Sequence, residues 1–112
     1  MNLTEYQSEA IKTAKKWDDR NSALAYQAMG LAGEAGEAVD IIKKHFRGDK
    51  PLNEETTEKL KKELCDVMWY IANICETVGF QMADLPQINI DKLRARHGET
   101  FSGYGDRTGA GR

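Results

Sequence analysis

A chain of 112 residues has room for one hydrophobic core and not for two. Its composition, 40% hydrophobic and 30% charged with two prolines, excludes disorder and suits a helical domain. A net charge of -2 gives no general attraction to nucleic acid or to anionic membrane, and no apolar run approaches the ~20 residues of a membrane span.

The chain opens MNLTEYQSEA, which lacks a signal-peptide core, so a cytoplasmic location is expected. Thr4 with Gln7 reads as a capping box for a first helix running to about Trp17, followed by a turn over residues 18 to 21. Ser22 is the expected N-cap of a second helix reaching about His45. Its apolar stripe, Leu24, Ala28, Leu31, Ala35, Ala38 and Ile42, marks the expected core face. RGDKPLN, residues 47 to 53, is a loop. Asn53 caps a third helix that Gly79 closes near Val78, with the stripe Leu60, Leu64, Val67, Ile71, Ile74 and Val78. A shorter fourth helix runs from Leu85 or Pro86 to Arg96 and stops at Gly98. From Ser102 to Arg112 the chain is glycine-rich and reads as a flexible tail, leaving residues 1 to 101 as the single domain. Cys65 and Cys75, about 15 Å apart along one helix, cannot pair and should be free thiols. The expected fold is all-α and bundle-like, with the two long helices antiparallel.

A polar edge flanks the core face of each long helix. On the second it carries Gln27, Gly30, Glu34, Glu37, Ile41 and Lys44, and on the third Glu63, Asp66, Tyr70, Asn73 and Thr77. Other helical acids have a lysine four residues on: Asp40 with Lys44, Glu55 with Lys59, Glu58 with Lys62. Glu34, Glu37, Glu63 and Asp66 have none. Four carboxylates meeting at a helix interface repel one another unless a cation offsets them, and all-oxygen ligands favour Mg²⁺ or Mn²⁺. A di-iron carboxylate bundle would need histidine three residues after one of these acids, and neither His45 nor His97 is so placed. Gly30 lies on the carboxylate stripe, where its missing side chain leaves space for a ligand or a neighbouring backbone, while Gly33 and Gly36 could admit another helix closely.

The ordered motifs Glu34-Ala-Gly-Glu37, a spacer of 25 residues and Glu63-Leu-Cys-Asp66 resemble the ExxE and ExxD signature of the MazG-like all-α nucleoside triphosphate pyrophosphohydrolases. GLAGEAGEAVDIIKK is similar to the family's first motif helix, ELCDVMWYIA to its second, and NIDKLRARHGETF to its C-terminal Asn-x-x-Lys segment. The resemblance covers roughly residues 22 to 101. It implies hydrolysis of a ribo- or deoxynucleoside triphosphate to the monophosphate and pyrophosphate. Mg²⁺, with Mn²⁺ able to substitute, would be held by Glu34, Glu37, Glu63 and Asp66, with the general base in the ExxE pair. Lys92 and Arg96 would meet phosphates, with Lys44 a further candidate. Asn89 would hold phosphate or sugar, Tyr70 sugar or base, and the Gln27 and Asn73 amides a base edge. Trp17 and Trp69 could stack on a base, although aromatics at helical spacing more often belong to the core. Family members of this size resemble dimers or dimers of dimers in which a neighbouring subunit helps enclose the nucleotide. A deoxypurine triphosphate such as dGTP is the favoured substrate. The alternatives are a non-catalytic dimerisation or nucleotide-sensing module, and a phosphoribosyl-ATP or dUTP pyrophosphohydrolase.

Overall fold

The computed structural model describes residues 1–100, and the glycine-rich tail expected from residue 102 lies outside them. Four helices follow in order, α1 (Leu3–Ile11), α2 (Arg20–Arg47), α3 (Glu54–Val78) and α4 (Leu85–His97), with a single 3₁₀ turn, Met82–Asp84, leading into α4. No strand occurs among the described residues, and none of their helices is long and apolar enough to cross a membrane.

Helix α1 departs from the expectation at both ends. Its N-cap is Asn2 rather than Thr4: Asn2 Oδ1 accepts from the Glu5 amide at 2.8 Å, and the Asn2 amide donates back to Glu5 at 3.2 Å. The helix ends at Ile11, six residues short of Trp17. The Thr13 hydroxyl donates to the Ala10 carbonyl at 2.8 Å and accepts from Trp69 Nε1 at 2.8 Å, so a side-chain bond displaces the next helical turn and ties it to α3. Residues 12 to 19 then lead into α2. There Asp19, not Ser22, is the cap, and its carboxylate accepts from the Ser22 amide at 3.0 Å. Ser22 at the third helical position donates its hydroxyl to the same carboxylate, which holds Asp19 below the usual carboxylate range.

The later boundaries follow the sequence. Gly48 and Gly79 take left-handed conformations, φ 83° and 103°, that end α2 and α3. Asn53 and Thr56 form a reciprocal capping box at the head of α3. Of the three anticipated lysine pairs, Asp40–Lys44 forms at 2.9 Å and Glu55–Lys59 at 3.4 Å, but Glu58 takes Lys61 instead of Lys62. Both cysteines are free.

The largest correction concerns the core. It does not lie between the two long helices. Ala10, Ala72, Cys75 and Met82 form it, with Leu3, Tyr6, Trp69, Ile71 and Leu85 packed around them, so it sits where α1 and the 3₁₀ turn cover one side of α3. Gln7 pins that cover by donating to the Phe80 carbonyl at 3.2 Å and accepting from the Met82 amide at 2.7 Å. Helices α2 and α3 pack along their polar edges instead. On α2 the inward residues are Ala23, Gln27, Gly30, Glu34 and Ala38, whereas Ala28 and Ile42 of the anticipated apolar stripe are exposed. Leu24, Leu31 and Ala35 are half-buried and Ala38 is buried, so the inward side of α2 combines part of the apolar stripe with the carboxylate edge.

Candidate active site

The α2–α3 seam is antiparallel, so residues rising along α2 meet residues falling along α3. Each tier is one or two helical turns from the next. At the centre, ligand atoms of Glu34, Glu63 and Asp66 lie within 4.8 Å of one another, the two glutamates half-buried and the aspartate exposed. Hydrogen-bonding contact with the Glu63 carboxyl, then partial burial, then the charges of Asp66, Glu63 and Glu37 raise the Glu34 carboxyl above its ordinary value. Glu37 is one turn further along α2, exposed and outside the three-carboxylate group, though its charge still acts on Glu34. None of these four acids forms a salt bridge with another described residue. The donors are oxygen only, the charge is uncompensated, and two helices supply it, so the residues present fit a hard divalent cation.

The tier toward the start of α2 is Gly30 against Tyr70. A Cβ on residue 30 would stand 2.1 Å from Tyr70 Cε1, so the space left by this glycine is filled by the tyrosine ring rather than left open for a ligand. Gly33 and Gly36 meet nothing within 4 Å among the described residues. Tyr70 lies edge-on to Trp69 with centroids 4.9 Å apart, and 6.2 Å from Tyr26, which is itself 5.2 Å from Trp17. A hydrogen bond with Tyr26, then burial, then the charges of Tyr26, Glu34 and Asp66 raise the Tyr70 hydroxyl, which ties the aromatic run electrostatically to the acids. Tyr26 is a site residue that sequence reading missed. Its position one turn before Gly30 on the same edge of α2 was the available signal.

One tier further, Gln27 and Asn73 are both buried and both line a cavity of about 420 Å³ between the end of α1 and the facing helices. In the opposite direction along the seam, Lys44 lines a smaller cavity of about 120 Å³ with Lys50 and Lys59. Asn89, Lys92 and Arg96 are not brought to the acids. All three lie on α4, which has no buried residue and reaches the core only through Leu85 in its first turn. Trp69 belongs to the core, as its spacing suggested, while Trp17 lines the larger cavity.

Comparison with known proteins identifies the family of the chain. The family model described as "MazG nucleotide pyrophosphohydrolase domain" matches residues 23–101, which contain all four acids. The curated "Gene 37 protein" of Mycobacterium phage L5 is 37% identical over 90 residues, 79% of each chain, and its name describes no activity. No solved structure matches the chain. The match spans both long helices and the whole carboxylate seam, so the chain belongs to the MazG nucleotide pyrophosphohydrolase family, whose members are generally divalent-metal dependent.

Proposed function

We propose that this chain hydrolyses a nucleoside triphosphate, a deoxypurine triphosphate such as dGTP in particular, to the monophosphate and pyrophosphate. It would do so with Mg²⁺ or Mn²⁺ and would serve nucleotide-pool control in the cytoplasm. One observation carries the reading: three carboxylates from two facing helices crowd within 4.8 Å, and none of them pairs with a cationic side chain among the described residues. Glu34, Glu63 and Asp66, with Glu37 beside them, would hold the metal, which when bound neutralises phosphate charge and orients a water for in-line attack at the α-phosphorus. Glu34 is taken up in the carboxylate cluster. Glu37, exposed and just outside it, is the member of the ExxE pair free to accept the water proton.

The reading also calls for a second copy, as a dimer or a dimer of dimers. Helix α4 leaves Ile88 60% and Ile90 41% exposed, and the outer face of α2 leaves Val39 60% and Phe46 88% exposed, apolar surface that a neighbouring chain would cover. A partner's α4 would then bring Asn89, Lys92 and Arg96 to the triphosphate.

The test is pyrophosphate release from each common NTP and dNTP with Mg²⁺, with Mn²⁺ and with EDTA. Turnover that requires the metal, and that falls by about 10²–10³-fold in Asp66→Asn, is expected. Folded protein that turns over none of them would sink the enzyme reading in favour of a sensing or dimerisation module.

A further inference from the structure

We infer that the nucleotide lies along the α2–α3 seam in one direction, with its base in the cavity beside Trp17 and its terminal phosphates toward Lys44, Lys50 and Lys59. The inference rests on the proposed reaction and gives it a polarity and a base preference.

The geometry is set by the two cavities on either side of the acids. Gln27 precedes Glu34 by seven residues and Ile41 follows it by seven, each about 10 Å along the helix axis. The cavity at the Gln27 end is about 420 Å³, within the usual range for small-molecule sites, and the one at the Ile41 end is about 120 Å³. The larger is lined by Trp17, Gln27 and Asn73, with Lys15, Lys16 and Arg20 offset by Asp19 and Glu76 and Arg20 already donating to the Thr77 and Val78 carbonyls, and one aromatic ring with two amides suits a flat heterocycle better than a phosphate. The smaller holds three lysines, Ile41 and Thr56, which suits polyphosphate and no base. Lys44 and Lys59 each hold a carboxylate of their own helix, in exposed pairs that a multiply charged polyphosphate displaces readily. The acids lie between, where the scissile α–β bond must be.

The base preference follows from two polar groups. Asn73 Nδ2 donates to the Trp69 carbonyl at 2.8 Å. That bond fixes which way the amide faces and leaves Oδ1, an acceptor, to meet a ligand. Gln27 is 7% exposed, lines the same cavity, and its buried Oε1 has no hydrogen-bond partner. A buried acceptor without a donor is costly, and a ligand that supplies one relieves the cost. The two acceptors come from facing helices, and guanine offers adjacent donors, N1–H and N2–H₂, to match them. Thymine and uracil offer one N–H between two carbonyls. The Lys15 ammonium lies 4.1 Å from the Trp17 ring centroid, so that face of the indole already accepts an exchangeable partner, a place a base takes by stacking.

The experiment is tryptophan fluorescence titration of the full chain, without metal, using dGMP, dTMP and 2-deoxyribose 5-phosphate as probes. Quenching by dGMP is expected at a Kd at least about tenfold below that of dTMP, with no quenching by the sugar phosphate and loss of the signal in Trp17→Phe. Gln27→Met should erase the tenfold preference, while Gln27→Glu, which still accepts, should keep it. Retention of the preference in both variants would overturn the acceptor role, and a variant that fails to fold leaves the other to decide. At the opposite end, Lys50→Ala should weaken inorganic tripolyphosphate binding severalfold, measured calorimetrically with Mg²⁺, and leave the dGMP titration unchanged. Equal binding of dGMP and dTMP, or equal quenching by the sugar phosphate, overturns the base pocket. Loss of dGMP binding in Lys50→Ala overturns the polarity. Selective base binding without turnover of any triphosphate would refute the proposed hydrolysis and leave this pocket standing, and turnover without base selectivity would do the reverse.

Discussion

Helix α3 has two sides that obey different rules. Toward α1 and the 3₁₀ turn it buries Ala72 and Cys75 completely or nearly so, and burial raises the Cys75 thiol as expected for a group sealed from water. Toward α2 it presents Glu63, Tyr70 and Asn73, and the seam it forms is held by an aromatic ring crossing a glycine while carboxylates repel at its centre. The first side stabilises the fold. The second is stability withheld, since crowded acids favour the folded chain less than a neutral pair in their place would. The α1 cover buries apolar side chains against α3, whereas the α2–α3 contact gathers carboxylates and amides, the arrangement that the proposed metal and nucleotide would use.

Three changes would break or sharpen that contrast. The largest effect belongs to the core. Met82→Ala empties a buried position against Ala10 and Cys75, and urea unfolding should show a loss of about 2–5 kcal/mol. A loss as small as that of an exposed methionine would place the stabilising core elsewhere. Next is the tyrosine crossing. Gly30→Ala drives a methyl into the Tyr70 ring and should cost about 1–3 kcal/mol, most of it recovered when Tyr70→Ala is added. Additive losses in that double-mutant cycle would mean that the two residues do not meet.

The smallest effect is electrostatic, and its sign is opposite to that of an ordinary ion pair. The folded-state value of Glu34 is raised, so its contribution to stability is present below the unfolded carboxylate pKa, about 4.3, and is lost as pH climbs through the raised value. In EDTA the melting temperature should therefore decline over that window by more in the wild type than in Glu34→Gln, and Mg²⁺ should remove the decline. Asp19 and Asp40, whose values are lowered, contribute in the reverse sense and are common to both proteins. Identical pH profiles for the two would contradict the raised value of Glu34.

Much of this was legible in order and spacing. Glu34, Glu63 and Asp66 meet because a 3.6-residue period puts each on the edge of its helix and a short loop makes the helices antiparallel. The unpaired state of these acids was equally visible, since each lacked a lysine four residues on. Local rules misled where two candidates competed. Asn2 and Asp19 won their caps from Thr4 and Ser22, residues of the same chemistry two or three positions away, because a cap is decided by where the chain turns.

The sequence by itself determined four helices, the two glycines that end the long ones, and the acidic tier between them, because these depend on periodicity and on backbone freedom within a few residues. Only the tertiary structure decided which face of α2 turns inward, that Tyr70 occupies the space above Gly30, and that α1 with the 3₁₀ turn rather than α2 seals the core. Those outcomes depend on packing between different elements, as between Gly30 and Tyr70 or between Ala10 and Ala72. A helical period states which residues share a face, and packing against the rest of the molecule selects the face that is buried.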